Sequence, residues 1–313
     1  MKTKYFFTIF VALYSIMTAT LTANAQTTFG EQQLIEYTET NTPTDVHAAD
    51  LDGDGDMDIL SASVYDNKIA WYENDGNGNF ATQQIITIDV SYAISVYTAD
   101  LDNDGDIDVL SASQDDDKIA WYENDGSGSF GEQQIVTTTA DFAQSVYATD
   151  LDNDGDMDVL SASLYDNKIA WYENDGNGNF GEQQIITTNA SYASSVYAAD
   201  LDNDGDIDVL SAYSSEIAWY ENDGSGNFGT QQVITTSADG PNSVYTADLD
   251  NDGDIDVLSA SYYDDKIAWY ENDGGGSFGL QQIITTTADD ANSVHAADLD
   301  NDGDIDVLSA SQG

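Results

Sequence analysis

The sequence predicts an all-β protein, a β-propeller built from four-stranded antiparallel blades. Three observations carry that prediction. A nine-residue acidic segment returns six times, and its starts at Asp50, Asp100, Asp150, Asp200, Asp248 and Asp298 lie 50, 50, 50, 48 and 50 residues apart. Between the copies, apolar and polar residues alternate in short runs and none of the repeat keeps a helical period. Repeats of this length that hold four short strands are the sequence mark of propeller blades.

Each element follows from local chemistry. In the second unit the innermost strand is Ser95-Val96-Tyr97-Thr98-Ala99, whose small residues suit a crowded centre. The acidic segment follows, then Val109-Leu110-Ser111-Ala112-Ser113 and Lys118-Ile119-Ala120-Trp121-Tyr122-Glu123. Asp125-Gly126-Ser127-Gly128 is a turn signal, and it leads into Gln133-Gln134-Ile135-Val136-Thr137. On the third strand Ile119 and Trp121 point one way and Ala120 and Tyr122 the other, so both faces are expected to be buried. The five tryptophans, Trp71, Trp121, Trp171, Trp219 and Trp269, all stand at this place. Recurrence in register with the core assigns them to packing between blades rather than to sugar stacking.

The acidic segments decide the chemistry. The first holds Asp50, Asp52, Asp54, Asp56 and Asp58; the second Asp100, Asp102, Asp104, Asp106 and Asp108; the third Asp150, Asp152, Asp154, Asp156 and Asp158. Asp200, Asp202, Asp204, Asp206 and Asp208 follow, then Asp248, Asp250, Asp252, Asp254 and Asp256, then Asp298, Asp300, Asp302, Asp304 and Asp306. Two unit charges about 5 Å apart repel by about 3 kcal/mol at an effective dielectric near 20. Such a loop needs a cation. Side chains at positions one, three, five and nine, the carbonyl at seven and a glycine at six suit calcium, a hard ion that takes oxygen ligands. An EF-hand is excluded, because the twelfth residue is Ser61 and the flanks read as strands. About one calcium ion per loop is expected.

Charge and composition narrow the partners. The chain has 59 acids against six lysines, a net charge of −53, which repels nucleic acid and anionic lipid. Met1-Lys2-Thr3-Lys4, the apolar run to Leu21 and Ala23-Asn24-Ala25 make a signal peptide over residues 1–25, so secretion or display at the cell surface is expected. No later apolar stretch is long enough to span a bilayer. With no cysteine, metal and packing must replace disulfides. At free calcium ten times the dissociation constant, six sites would add roughly 8 kcal/mol, comparable to the stability of a whole domain.

The acidic loops, Phe130-Gly131 and the Val-Leu-Ser-Ala-Ser strand resemble the FG-GAP/VCBS repeats of integrin alpha-subunit propellers and of many exported bacterial proteins. The likeness runs from about Phe29 to the end, over residues 26–313 of the mature chain, with units starting near 29, 80, 130, 180, 228 and 278. It implies calcium in the turn between a blade's first two strands, held in the second copy by Asp100, Asp102, Asp104 and Asp108 and by the carbonyl of Asp106. Two departures are Ala81 after Phe80 and Ser-Ala-Ser in place of Gly-Ala-Pro. Phe29 to Tyr37 reads as a lone fourth strand, five full units follow, and the sixth has two strands. Six blades with the last incomplete, or seven in a longer parent, are expected.

The segments that differ between repeats lie at the end of each blade opposite the acidic loops, and repeat scaffolds usually place binding on the face that varies. Tyr65, Tyr92, Phe142, Tyr165, Tyr192, Tyr262 and Tyr263 are the candidate ligand contacts there. Catalysis is not expected. His47 and His295 take the place of Tyr97, Tyr147, Tyr197 and Tyr245, there is no cysteine nucleophile, and Glu73, Glu123, Glu173, Glu221 and Glu271 recur too regularly for a catalytic pair. The expected function is a binding or adhesion module for a protein or glycan. A carbohydrate-binding lectin, or the non-catalytic propeller part of a polysaccharide-acting enzyme, is the alternative.

Overall fold

The structure is a computed structural model and describes residues 42–312. The leader over 1–25 and the strand expected over Phe29 to Tyr37 lie outside the described residues. The first sheet is β1 (Pro43–Ala49), β2 (Asp58–Ser63), β3 (Lys68–Tyr72) and β4 (Gln84–Thr87). The second is β5 (Ala93–Ala99), β6 (Asp108–Ser113), β7 (Lys118–Tyr122) and β8 (Gln134–Thr137); the third is β9 (Ala143–Thr149), β10 (Asp158–Ser163), β11 (Lys168–Tyr172) and β12 (Gln184–Thr187). The fourth is β13 (Ala193–Ala199), β14 (Asp208–Tyr213), β15 (Glu216–Tyr220) and β16 (Gln232–Thr235). The fifth is β17 (Pro241–Ala247), β18 (Asp256–Ser261), β19 (Lys266–Tyr270) and β20 (Gln282–Thr285), and the sixth has β21 (Ala291–Ala297) and β22 (Asp306–Ser311).

Every sheet is antiparallel with its strands in chain order, and no helix occurs among the described residues. The innermost strands begin two residues earlier than the sequence suggests, because a register shift between Ala93 and Ser95, repeated in other sheets, extends the pairing past an irregular residue. In the fourth sheet a turn shorter by two residues removes the usual Lys–Asp pair, seen elsewhere at 2.6–3.0 Å. There the Tyr213 hydroxyl donates to Glu216 Oε2 at 3.0 Å instead.

No ladder joins one sheet to another among the described residues; side chains do it. Leu60, Ala62, Ile69 and Trp71 of the first sheet pack against Val96, Val109, Ala120 and Tyr122 of the second, and the pattern repeats along the chain. The third strands are therefore buried on both faces, as their composition requires. Trp71, Trp121 and Trp171 meet Phe130, Phe180 and Phe228 of the next sheet edge-on, with ring centres 6.4–6.5 Å apart. Gly128 lies under Trp71 at φ +73°, where any Cβ would strike the indole. The tryptophans are packing residues; Trp269 is less buried, and the sixth sheet beside it has two strands among the described residues.

The innermost strands lie side by side and stack one aromatic ring each: His47, Tyr97, Tyr147, Tyr197, Tyr245 and His295, at successive centroid distances of 4.8, 4.5, 4.6, 4.9 and 4.4 Å. Burial lowers the pKa of His47, and the charge of His295, from the other end of the series, lowers it further. A second series runs beside it. Ser95, Ser145, Ser195 and Ser243 each accept the N–H of the next strand's valine at 3.3–3.5 Å. At the first junction Asp45 does this, its Oδ2 taking the Val96 N–H at 2.9 Å. On the same first strand Val46 is 63% exposed, whereas Val96, Val146, Val196, Val244 and Val294 are 3–4% exposed.

Burial pushes the Asp45 carboxyl up to about 6, against the Val96 and Val46 N–H donors. A carboxyl raised above its unfolded value destabilises the fold once pH exceeds the folded value, and the cost fades as pH falls toward the unfolded one. Asp45→Ser, which installs the residue of the other strands, should raise the melting temperature at pH 8 by a few degrees, on the order of 1 kcal/mol for a chain of this size. The gain should shrink between pH 6 and 4; a gain constant across that range would assign it to something other than the charge.

Candidate metal centres

Each acidic segment closes the turn between the first and second strands of its sheet. The backbone turns left-handed at the fourth position, with φ of +74° at Gly53 and +60° at Asn103, and again at the sixth, with +97° at Gly55. These turns aim N–H groups inward. Gly55 N–H donates to Asp50 Oδ2 at 2.9 Å, Asp54 N–H to Asp52 Oδ1 at 3.2 Å and Asp56 N–H to Asp54 Oδ1 at 2.9 Å. The same bonds recur in the later loops with small changes.

The ninth position is the root. Asp58 is fully buried, and its two oxygens accept the N–H groups of Leu51 at 2.9 Å and Asn74 at 2.8 Å. Asp108, Asp158, Asp208 and Asp256 repeat this. In the sixth loop Asp306 takes the Leu299 N–H at 3.0 Å and is half-buried.

Carboxylate oxygens from positions one, three and nine converge to within 4.8 Å of one another, as in Asp50, Asp52 and Asp58, in Asp100, Asp102 and Asp108, and in Asp150, Asp152 and Asp158. Asp200, Asp202 and Asp208 form a fourth such group and Asp248, Asp250 and Asp256 a fifth. In the sixth loop Asp298 accepts the N–H groups of Asp302 and Gly303, Asp302 that of Asp304 and Asp306 that of Leu299, while Asp300 Oδ1 has no partner. The fifth-position carboxylates, Asp54, Asp104, Asp154, Asp204 and Asp252, stand outside these triads and accept the N–H of position seven. The seventh-position side chains go elsewhere: Asp56, Asp106, Asp156, Asp206 and Asp254 lie against Gly76, Gly126, Gly176, Gly224 and Gly274 of the same unit.

The triads bring like charges together. Burial pushes the carboxyls of Asp108, Asp158, Asp208 and Asp256 up to about 7, with the neighbouring third- and fifth-position charges adding and the two N–H donors opposing. Asp102, Asp152, Asp202 and Asp250 are raised by burial and then by the next aspartate. Oδ1 of Asp100, Asp150, Asp200 and Asp300 is buried without a hydrogen-bond partner. Orphaned carboxylate oxygens in a ring of oxygens fit a hard cation such as calcium. The neighbouring turn differs: Asp75 accepts the N–H groups of Asn77 and Asn79 and the Asn79 amide, bonds that lower its pKa and leave no call for an ion.

One contributor escapes sequence reading. Asn174, 2% exposed, donates Nδ2 to Leu101 O of the preceding loop at 2.8 Å and to Met157 O of its own loop at 2.9 Å. Asn124, Asn222 and Asn272 do the same. Its one signal was recurrence inside Tyr-Glu-Asn-Asp-Gly, which turn propensity also explains.

The aromatic candidates lie at the other end. Connections between sheets are tied to the turns between second and third strands: Asn67 Oδ1 accepts the Tyr92 N–H at 2.9 Å, Asp117 Oδ1 the Phe142 N–H at 2.9 Å and Asn167 Oδ1 the Tyr192 N–H at 3.2 Å. Tyr92, Phe142 and Tyr192 sit at φ of +58° to +65°, uncommon for bulky residues. Tyr65 meets Tyr92 at 5.8 Å, Phe142 meets Tyr165 at 4.5 Å and Tyr262 meets Tyr263 at 5.2 Å between ring centres. Tyr65, Tyr165, Tyr192 and Tyr263 are 59–74% exposed. Glu123, Glu173, Glu221 and Glu271 accept the amide of Gln134, Gln184, Gln232 and Gln282 on the adjacent strand at 3.1–3.5 Å, a structural use.

An all-β array of repeated sheets, each with an acidic loop between its first two strands, is a repeat scaffold that presents one cluster of carboxylates able to hold a metal ion at each such turn. The FG-GAP-like repeat model matches residues 9–61, 50–111, 100–161, 150–211, 200–259 and 248–309, and the chain belongs to that family. No curated protein matches its sequence. Among solved structures it resembles an Agrocybe aegerita lectin described as recognising non-reducing terminal N-acetylglucosamine, with TM-score 0.58 and 19% identity over 85% of this chain and 70% of that one. It also resembles virginiamycin B lyase from Staphylococcus aureus (TM-score 0.57, 15% identity, 86% of this chain and 78% of that one). An auxiliary nutrient binding protein from Bacteroides ovatus gives TM-score 0.53 and 12% identity over 82% of this chain and 64% of that one. These likenesses concern the fold alone.

Asn174→Ala should cost about 1–3 kcal/mol, because it leaves the buried Leu101 carbonyl, and the part-buried Met157 carbonyl, without a donor. Urea unfolding of the variant measures this, and a loss below about 0.5 kcal/mol would show that water replaces the amide.

Proposed function

We propose that the chain is an exported, calcium-stabilised β-propeller that serves as a binding or adhesion module. The observation that carries calcium is the repeated triad of positions one, three and nine, with buried oxygens that have no partner. The propeller reading is supported by the continuous aromatic series from His47 to His295 and by the influence of the last imidazole on the first. Export rests on the leader over residues 1–25.

In this reading the cation neutralises the triad and joins the loop's start to the root of the second strand. Fifth-position carboxylates and seventh-position carbonyls complete the shell. The ligand, protein or glycan, meets the opposite face through Tyr65, Tyr92, Phe142, Tyr165, Tyr192, Tyr262 and Tyr263. A lectin is the favoured special case, because the exposed Tyr65 and Tyr165, each set against a second aromatic ring, suit stacking on sugar rings. The lectin among the fold's neighbours agrees with it.

Chelation should lower the melting temperature by tens of degrees, and calorimetry of the holo protein should count about six ions. No shift and no binding would remove calcium from the account. On a glycan array, signal inhibited by free sugar should fall at least tenfold in a Tyr65→Ala, Tyr165→Ala double variant, a loss of about 1.4 kcal/mol. Unchanged signal would move the ligand off this face.

A further inference from the structure

The third strand and the turn after it have the same sequence in two units. Residues 68–80 and 168–180 are identical, and each segment carries one of the two Asn-Gly steps in the chain, Asn77-Gly78 and Asn177-Gly178. Their internal bonds agree as well. The Asn77 N–H donates to Asp75 Oδ1 at 2.9 Å and its Nδ2 to Asp75 O at 3.0 Å, while Asn177 makes the same two bonds to Asp175 at 3.0 Å each. Both asparagines are exposed, and neither Gly78 nor Gly178 gives its N–H to an acceptor among the described residues.

What differs is the neighbour. The Trp121 indole of the second sheet lies on Gly178, where any Cβ would strike it, and Gly178 is buried. Gly128, Gly226 and Gly276 lie under Trp71, Trp171 and Trp219 in the same way. Gly78 is half-buried, and no atom of the described residues comes within 4 Å of the place a Cβ would take. The chain has five tryptophans; these four cover glycines of the next unit, and the fifth, Trp269, packs toward the sixth sheet. None is left for Gly78.

We infer that Asn77 is a site of spontaneous deamidation, and that the Trp121 indole shields the identical step at Asn177. Gly78 N attacks Asn77 Cγ: the N–Cγ bond forms, the Cγ–Nδ2 bond breaks, and ammonia leaves with the proton of the Gly78 N–H. Water opens the resulting succinimide at either carbonyl, to aspartate or isoaspartate, and nothing is oxidised or reduced. Glycine permits the approach because it has no Cβ in the way and moves freely between backbone regions. The attack requires Gly78 to leave its φ of +75°, so the rate follows the free energy of local opening. At Gly178 the same opening must also draw the residue from beneath an indole. Either product loses the Nδ2 bond to Asp75 O and sets a further negative charge beside Asp75. Isoaspartate in addition lengthens the main chain by a methylene, inside the turn that the Asp75 N–H and Asn79 O close at 3.1 Å.

The test incubates the full chain at mildly alkaline pH, folded and in urea, and follows both turns by peptide mass spectrometry. The peptides are told apart by their flanks, Ala81-Thr82 and Gly181-Glu182. The amide-to-acid mass change counts deamidation, and methyl transfer by an isoaspartate methyltransferase counts isoaspartate. In the folded chain Asn77 should convert on the order of tenfold faster than Asn177, the ratio that a difference of about 1.4 kcal/mol in local opening gives. In urea the two rates should meet, because the sequences are the same. Equal rates in the folded chain would overturn the inference, as would a folded chain in which Asn77 stays intact while urea converts both. Trp121→Ala should bring Asn177 up to the rate of Asn77 and leave Asn77 unchanged. A folded variant with Asn177 still slow would take the shielding away from the indole, and the comparison of folded and unfolded parent needs no variant to fold.

Discussion

The structure depends on a carboxylate buried at the root of each acidic loop. Asp58, Asp108, Asp158, Asp208 and Asp256 are out of water, and each uses both oxygens on backbone N–H groups from two different parts of its unit. One donor is at the loop's start and the other at the end of the third strand, so the side chain holds the loop, second strand and third strand in one arrangement. The burial that gives it this role also raises its pKa, and the nearby third- and fifth-position charges add to the penalty. A cation among the triad oxygens would remove that penalty and the hydrogen bonds would remain. In a chain without cysteine, the proposed ion would make a staple of a loop so rich in charge.

Between sheets the bonding is of another kind. Tryptophan against phenylalanine and glycine, asparagine bridging two loops, and a serine hydroxyl accepting the next valine N–H repeat at one junction after another. Such an array gains stability by nearest-neighbour contacts, each junction adding a similar increment. Its uniformity makes the exceptions informative. Gly53, Asp45, the shortened turn before Glu216 and the aromatics at left-handed positions are where one unit differs from the rest while the scaffold around it stays constant.

The acidic loops and the varied aromatic face stand at opposite ends of the sheets, which separates the groups that hold the loops together from the exposed tyrosines. Strain is placed accordingly. Tyr92, Phe142 and Tyr192 occupy a backbone region that glycine fills at Gly240, and their N–H groups are held by the side chains of Asn67, Asp117 and Asn167. A rigid frame can carry such residues without losing its register.

Much of this was legible in the sequence, because repetition averages away the ambiguity of any single strand. The spacing of the acidic segments, the alternation of Ile119-Ala120-Trp121-Tyr122 and the turn residues of Asp125-Gly126-Ser127-Gly128 determined the strand order, the burial of both faces of the third strand and the place of the acids. Local chemistry could not say which acids converge. Five aspartates at alternate positions look equivalent in one dimension, and only the left-handed turns at the fourth and sixth residues send one, three and nine inward and seven toward the adjoining turn. The asparagine clamp, the serine series and the indole over Gly178 were likewise decided by tertiary structure, because each joins residues from neighbouring units that no local pattern brings together.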